Sequence, residues 1–305
     1  MRALGTKRGS ELSVNLTLFK ELKLSTVEPF GTQLLKWIGN KQRFAGEIIS
    51  YFPSLFNTYF EPFLGSGAVL ATLAPDKGFA SDSFRPLMEI WQALKNSPET
   101  LIAWYKERWE QMKYKGKKET YEMARHSYNA APNGADLLFL CRTCYGGVVR
   151  FRQADGYMST PCGIHNPITP KSFARRVYEW QRRVHGTDFA VMEYEEAMNK
   201  AKKDDLIYCD PPYADSQSIL YGAQSFSLVQ LFEVIRKCKD RGAHVALSID
   251  GTKKTGNKIC NLPIPDGLFK REVMVNCGRS MLKRFQMNGK SLEGEVVADR
   301  LLLTY

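Results

Sequence analysis

The chain has no run of about twenty apolar residues, the length a helix needs to cross a bilayer, so no membrane partner is expected. Histidine is scarce, four residues (His126, His165, His185, His244) without ligand-like spacing. The seven cysteines are dispersed and odd in number, which argues against a disulfide framework. With no apolar stretch of signal-peptide length in the first residues, a reducing cytoplasm is the expected location. Cys141 and Cys144 stand at zinc-like spacing, but no second such pair and no paired histidines complete four ligands, and no metal is expected. Internal repeats and long low-complexity segments are also missing. Acidic residues are in deficit, 32 against 43 Lys and Arg, which leaves a net charge of +11 over 305 residues. That excess favours a polyanionic partner, the alternative being a solvated, lysine-rich surface.

What is present reads as βα units interrupted once. Residues 1–28 are a basic extension (Arg2, Lys7, Arg8, Lys20, Lys23). A strand around Tyr59 and Phe60, a turn through Gly65, Ser66 and Gly67, and a helix from Ala68 to Leu73 form the first unit; a second strand ends at Asp82. From Arg85 the texture becomes helical, with Leu87, Ile90, Trp91 and Leu94 at i, i+3, i+4 and i+7. Trp91, Trp104 and Trp109 read as core at these spacings. Val148 to Arg152, the turn pair Asp155 and Gly156, and Tyr157 with Met158 resemble a β-hairpin with a basic face. The α/β pattern resumes after about residue 170. Ser227 and Gln230 form a capping box for a helix whose apolar stripe (Leu228, Leu231, Phe232, Ile235, Cys238) stops at Gly242. A strand from His244 to Ile249, a surface loop from Gly251 to Gly267, and strands over Lys270–Val275 and Val296–Thr304 complete the expectation. The implied organisation is an α/β catalytic domain from residues 29–84 and 170–305, with residues 85–169 inserted as a second domain.

Two motifs carry chemistry. Asp210, Pro211, Pro212 and Tyr213 follow the apolar run Leu206 to Cys209. An aryl amine is a poor nucleophile because its lone pair is delocalised into the ring, so activating one requires acceptors for both amine hydrogens. Asp210 can supply one and the Pro211 carbonyl the other. Successive prolines stiffen the turn and leave its carbonyls free to point into a site, and Tyr213 offers a ring face for stacking. The bland alternative is an ordinary tight turn. The second motif runs from Phe60 to Gly67 and places Gly65 and Gly67 at a strand-to-helix turn. A dinucleotide fingerprint would want Gly or Ala where Leu70 stands, and Glu61 would repel a pyrophosphate. S-adenosylmethionine, phosphate-free and cationic, suits such a turn, and Asp82 sits where open α/β folds place a carboxylate on ribose hydroxyls. A Gly-rich turn followed by an Asp cap is the alternative.

Together these residues resemble the Dam-type (D12 class, alpha group) DNA adenine-N6 methyltransferases, over most of the chain from Lys36 onward. Lys36 to Lys41 is similar to the family's KWxGxK start, Phe60 to Gly67 to its EPFxGxG turn, and Asp210 to Tyr213 to its catalytic DPPY. Leu138 to Gly163 is similar to the helix and hairpin that read DNA, and Gly278 to Ser280 to a late motif before the final strand. The resemblance implies a Rossmann-like methyltransferase sheet with an inserted helical and hairpin recognition domain. It implies a cofactor site from Trp37, Lys41, Glu61, Phe63, Gly65, Gly67, Asp82 and Asp210, and DNA contacts at Arg150, Arg152, Gln153, Pro161, Arg279 and Ser280. The N-terminal arm is longer than the family's, and the hairpin by about one residue.

The reaction implied is direct transfer of the methyl of S-adenosylmethionine to N6 of an adenine flipped out of a short duplex site, GATC being the family's commonest. Arg150 is the principal candidate reader, its guanidinium gripping guanine O6 and N7; the alternative is a phosphate contact. Rival readings are cytosine-N4 methylation, which poses the same amine problem, and a DNA-binding regulator without turnover. Double-stranded DNA is the expected partner of a monomer with no obligate protein partner.

Overall fold

The computed structural model describes residues 28–152, 154–212, 226–253, 258–259, 264–279 and 296–305. The basic extension lies outside them except for Glu28. In chain order the described elements begin with α1 (Ala45–Ile49), β1 (Tyr59–Glu61), α2 (Ala68–Leu73), β2 (Gly78–Asp82) and α3 (Arg85–Asn96). Next come α4 (Pro98–Lys115), α5 (Lys117–Ala130), α6 (Gly134–Thr143), α7 (Pro170–Val184), β3 (Thr187–Val191), α8 (Tyr194–Asn199) and β4 (Leu206–Cys209). The last are α9 (Leu228–Asp240), β5 (His244–Lys253), β6 (Lys258–Ile259), β7 (Arg271–Arg279) and β8 (Val296–Leu303).

One sheet organises them, in the order β3-β2-β1-β4-β5-β8-β7, with β6 paired to β5 off this path. The first five strands are mutually parallel, and β8 runs against both β5 and β7. Central parallel strands are covered on both faces and need uninterrupted apolar runs. β4 supplies one, Leu206, Ile207, Tyr208 and Cys209 all being buried. Successive side chains alternate between faces. Tyr59, Leu206, Tyr208 and Ala246 therefore join the core beneath α2, α3, α6 and α7, while Phe60, Ile207, Cys209 and Val245 join the one beneath α8 and α9.

The helix of the stripe Leu231, Phe232, Ile235 and Cys238 is α9, and it ends at Gly242 with φ +84. Its cap is half of the expected box: Ser227 accepts from the Gln230 amide at 3.3 Å, but the Gln230 side chain reaches Glu195 instead of returning. The helical texture from Arg85 corresponds to α3 through α6. α3 lies on β2 and β3, with Trp91 fully buried and stacked on Phe189 at 5.8 Å, so one apolar core continues across residue 85. Trp104 and Trp109 are half-buried against that core, and Cys141 is buried within it on α6.

Two expectations need correction. The stretch from Gly251 is not simply a loop, because β5 continues to Lys253 past a register shift and pairs with β6 through Thr252–Ile259 and Lys253–Lys258. Pairing of backbones beyond the core needs no apolar face, so composition gave no signal. The hairpin between Val148 and Met158 is less regular than its alternation suggests, with a single bridge between Phe151 and Met158. The Thr160 hydroxyl replaces ladder bonds there, accepting from the Arg150 amide and donating to the Val148 carbonyl, both at 2.9 Å. Gly156 turns the tip at φ +67.

Candidate active site

In an open α/β sheet the crossovers leave in opposite directions where strand order reverses, which uncovers the carboxyl ends of the strands. Here the reversal falls between β1 and β4, and a cavity of about 920 Å³ opens beside their ends. It is lined by the expected Trp37, Lys41, Glu61, Phe63, Gly65 and Asp82, and by Asp210 and Pro212. Lys41 and Asp210, 169 positions apart in sequence, thus share one chamber.

The glycines are required by geometry. Gly65 has φ +47 and Gly67, which caps α2, has φ +61. A Cβ on Gly67 would come within 3.0 Å of the Trp91 ring, and one on Gly65 would meet Trp37 at 3.4 Å. Gly67 thus acts by shaping the turn and does not itself line the cavity. The Trp91 indole donates to the Gly65 carbonyl at 3.3 Å and fixes the loop from below.

The carboxylates are held differently. Asp82 at the end of β2 accepts from the amides of Phe84 at 3.0 Å and Gly65 at 3.3 Å. Burial outweighs these two bonds and pushes its carboxyl up to about 6. Glu61 is only 3% exposed and accepts from the Tyr59 hydroxyl at 2.6 Å. Burial, reinforced by the charge of Asp210, pushes Glu61 up to about 8 against the pull of that hydroxyl. Both groups favour a ligand that brings positive charge or donors. Asp210 receives the buried Lys41 ammonium at 2.7 Å, and Asp299 lies 3.6 Å from the same nitrogen. Pro211 is buried and Pro212 half-buried, while Tyr213 lies outside the described residues.

Of the expected DNA-contacting residues whose side chains are described, Arg150, Arg152 and Pro161 do not line this cavity, although Phe151 between the two arginines does. Arg150 is half-buried; its amide and carbonyl are tied to Thr160 and Ser159. Arg152 is exposed, paired with Asp155 at 2.7 Å and set over the Tyr157 ring at 4.2 Å. Pro161 is exposed and its carbonyl accepts from the Tyr145 amide. Arg279 ends β7, where only its backbone is described; Gln153 and Ser280 lie outside the described residues.

The sequence reading missed an aromatic wall and an acidic rim. Tyr194 stacks on Phe63 at 5.1 Å, Phe226 meets Phe63 edge-on at 6.0 Å, and Glu193, Glu195 and Glu196 line the mouth beside them. Phe84 and Phe151 close the opposite side, 5.5 Å apart. Phe151 lies between two arginines, so alternation alone could have turned it inward. Asp299 announced itself as a carboxylate inside an apolar terminal strand.

A profile of the D12 class of N6 adenine-specific DNA methyltransferases matches residues 37–266. The Type II methyltransferase M1.LlaDCHI of Lactococcus lactis subsp. cremoris is 27% identical over 232 residues, 70% of this chain and 79% of its own. The DNA adenine methylase of Vibrio cholerae is 27% identical over 234 residues, 72% of this chain and 82% of its own. That of Haemophilus influenzae is 26% identical over 251 residues, 78% of this chain and 81% of its own. A match spanning Trp37, the glycine turn, the helices between β2 and β3 and the proline-rich turn leaves one assignment: the chain belongs to the D12 class of N6 adenine-specific DNA methyltransferases.

Proposed function

We propose that this adenine-specific DNA methyltransferase takes S-adenosylmethionine as its donor and that Asp210 and the Pro211 carbonyl hold the target amine. The observation that carries the reading is the meeting of Asp210 with Glu61 and Asp82 in one cavity. At about 920 Å³ the cavity is near the upper end of the roughly 300–1,000 Å³ usual for ligand pockets, enough for a cofactor and a base together. The residues fit a cationic, phosphate-free nucleoside. Glu61 and the rim of Glu193, Glu195 and Glu196 favour positive charge, Asp82 offers its carboxylate to ribose hydroxyls, and Phe63, Tyr194 and Phe226 offer ring faces. When bound, S-adenosylmethionine supplies a methyl activated by its sulfonium.

The chain's own residues then position and select. Asp210, paired with Lys41, accepts one amine hydrogen and the Pro211 carbonyl accepts the other, so that the nitrogen lone pair turns toward the methyl. The adenine is flipped from the duplex at a cost of a few kcal/mol, and stacking on Tyr213, worth about 1–3 kcal/mol, offsets a large part of that. Residues 85–169 are the recognition segment in this reading, its first helix shared with the sheet, and Arg150 reads a base edge while Arg152 is steadied by Asp155. Gln153, Pro161, Arg279 and Ser280 complete the proposed DNA-contacting set.

The enzyme acts as a monomer on a short duplex site in the cytoplasm. The cysteines among the described residues are free thiols, in keeping with a reducing compartment, and no described helix is long and apolar enough to cross a membrane. Expressing the chain in a methylation-free host and sequencing its DNA for modified bases tests the whole reading. N6-methyladenine confined to one short motif is expected; unmodified DNA from a folded, expressed protein would refute it.

A further inference from the structure

Asp299 lies in β8, between Ala298 and Arg300 and on the same face as the fully buried Leu301 and Leu303. A carboxylate there is costly to bury unless a cation stands close. Lys41 does, 5% exposed, with its nitrogen 3.6 Å from Asp299 and 2.7 Å from Asp210. One ammonium is therefore flanked by two carboxylates, one just after β4 and one within β8.

This has a consequence for an amine that gains positive charge as it attacks a methyl. A carboxylate whose charge is cancelled by its own lysine stabilises such a nitrogen poorly, because the ion pair is a neutral dipole seen from the substrate. A second carboxylate behind the lysine returns the trio to a net negative charge. We propose that Asp299 is a positioning residue for methyl transfer, holding Lys41 from behind and offsetting its charge so that Asp210 faces the amine as an effective anion. The inference rests on the reading of Asp210 as amine acceptor. Asp299 does not line the cavity and touches neither reactant; its action is through Lys41.

The test is a double-mutant cycle read by single-turnover methylation of a cognate duplex, with cofactor affinity by calorimetry and melting temperature measured alongside. Asp299→Asn should lower the single-turnover rate about tenfold to a hundredfold while cofactor affinity stays within about threefold, and Asp299→Glu should restore most of the rate. In a Lys41→Met background the same Asp299→Asn change should cost much less, since no lysine charge remains to be offset and Asp210 is already an uncompensated anion. An equal loss in both backgrounds, or no loss in the parent, would overturn the proposal. Should the asparagine variant fail to fold, it should still fold in the Lys41→Met background; failure in both would equally overturn it. Asp210→Ala separates this inference from its foundation: if that variant turns over normally the amine-acceptor reading fails, whereas a dead Asp210→Ala with an indifferent Asp299→Asn condemns the inference alone.

Discussion

With the donor seated beside Glu61 as proposed, its binding should release a proton. Burial pushes the Glu61 carboxyl up to about 8, so at neutral pH the protonated form is favoured. A sulfonium or ammonium placed beside it draws the group toward the ordinary carboxylate range, and the proton must leave. The sign follows: protons compete with the donor, so affinity falls as pH falls below about 8. From pH 7 to pH 6 the apparent dissociation constant should rise by up to about tenfold, and at pH 7 binding should release up to about one proton. Calorimetry in two buffers of different ionisation enthalpy measures both quantities, and the window stays below the titration of the donor's own amine. Glu61→Gln should abolish most of the pH slope and the proton release. The same substitution should raise the melting temperature of the unliganded enzyme above about pH 5, because a carboxyl elevated on folding loses stability as pH rises from its unfolded value toward about 8. No released proton, or the full slope persisting in Glu61→Gln, would refute the reasoning.

Asp210→Ala should abolish methyl transfer yet leave DNA binding intact at low salt, as filter binding or anisotropy would show, because phosphate contacts supply most affinity. Asp82→Ala should weaken cofactor binding by about 1–2 kcal/mol in calorimetry, since it removes both a ribose acceptor and the brace on the Gly65 amide; unchanged affinity would return Asp82 to a purely structural cap. Arg150→Ala should lose about 1–3 kcal/mol on the cognate site and relax one base pair with little change in salt slope. Uniform weakening on all sequences with a slope about one unit smaller would make it a phosphate contact. Gly67→Ala, strained at φ +61 and pressing on Trp91, should lower both the melting temperature and cofactor affinity, checked by thermal melting and calorimetry.

The sequence was most legible where local chemistry and position coincide. The apolar run of β4 followed by Asp210, and the strand, glycine turn and helix of β1 and α2, each announce an element and a site residue together. The stripe on α9 was equally plain, since helical periodicity needs no tertiary knowledge. Phe151 and Tyr194 were not, because a single aromatic becomes a cavity wall only when distant segments are folded against it. The hairpin was misjudged in regularity because a side-chain hydroxyl, that of Thr160, took bonds that alternation assigns to backbone. Asp299 shows the same limit from the other side: the anomaly of a buried acid was visible, but its partner lies 258 positions away at Lys41.

The reversed strand β8 also bears on how the molecule is made. It enters between β5 and β7, so a ribosome has released both neighbours before the strand that joins them emerges. Until then β5 presents on that side a row of unpaired backbone groups, a template for pairing with other chains. β7 and β8 run antiparallel in register from Arg271–Leu303 to Asn276–Ala298, which lets them zip as a local unit and dock onto β5 together. Docking also delivers Asp299 to Lys41, so a nascent chain has the described lining of its cavity before it has this second partner of the lysine, and closure of the sheet and completion of the Asp210–Lys41–Asp299 group are one event.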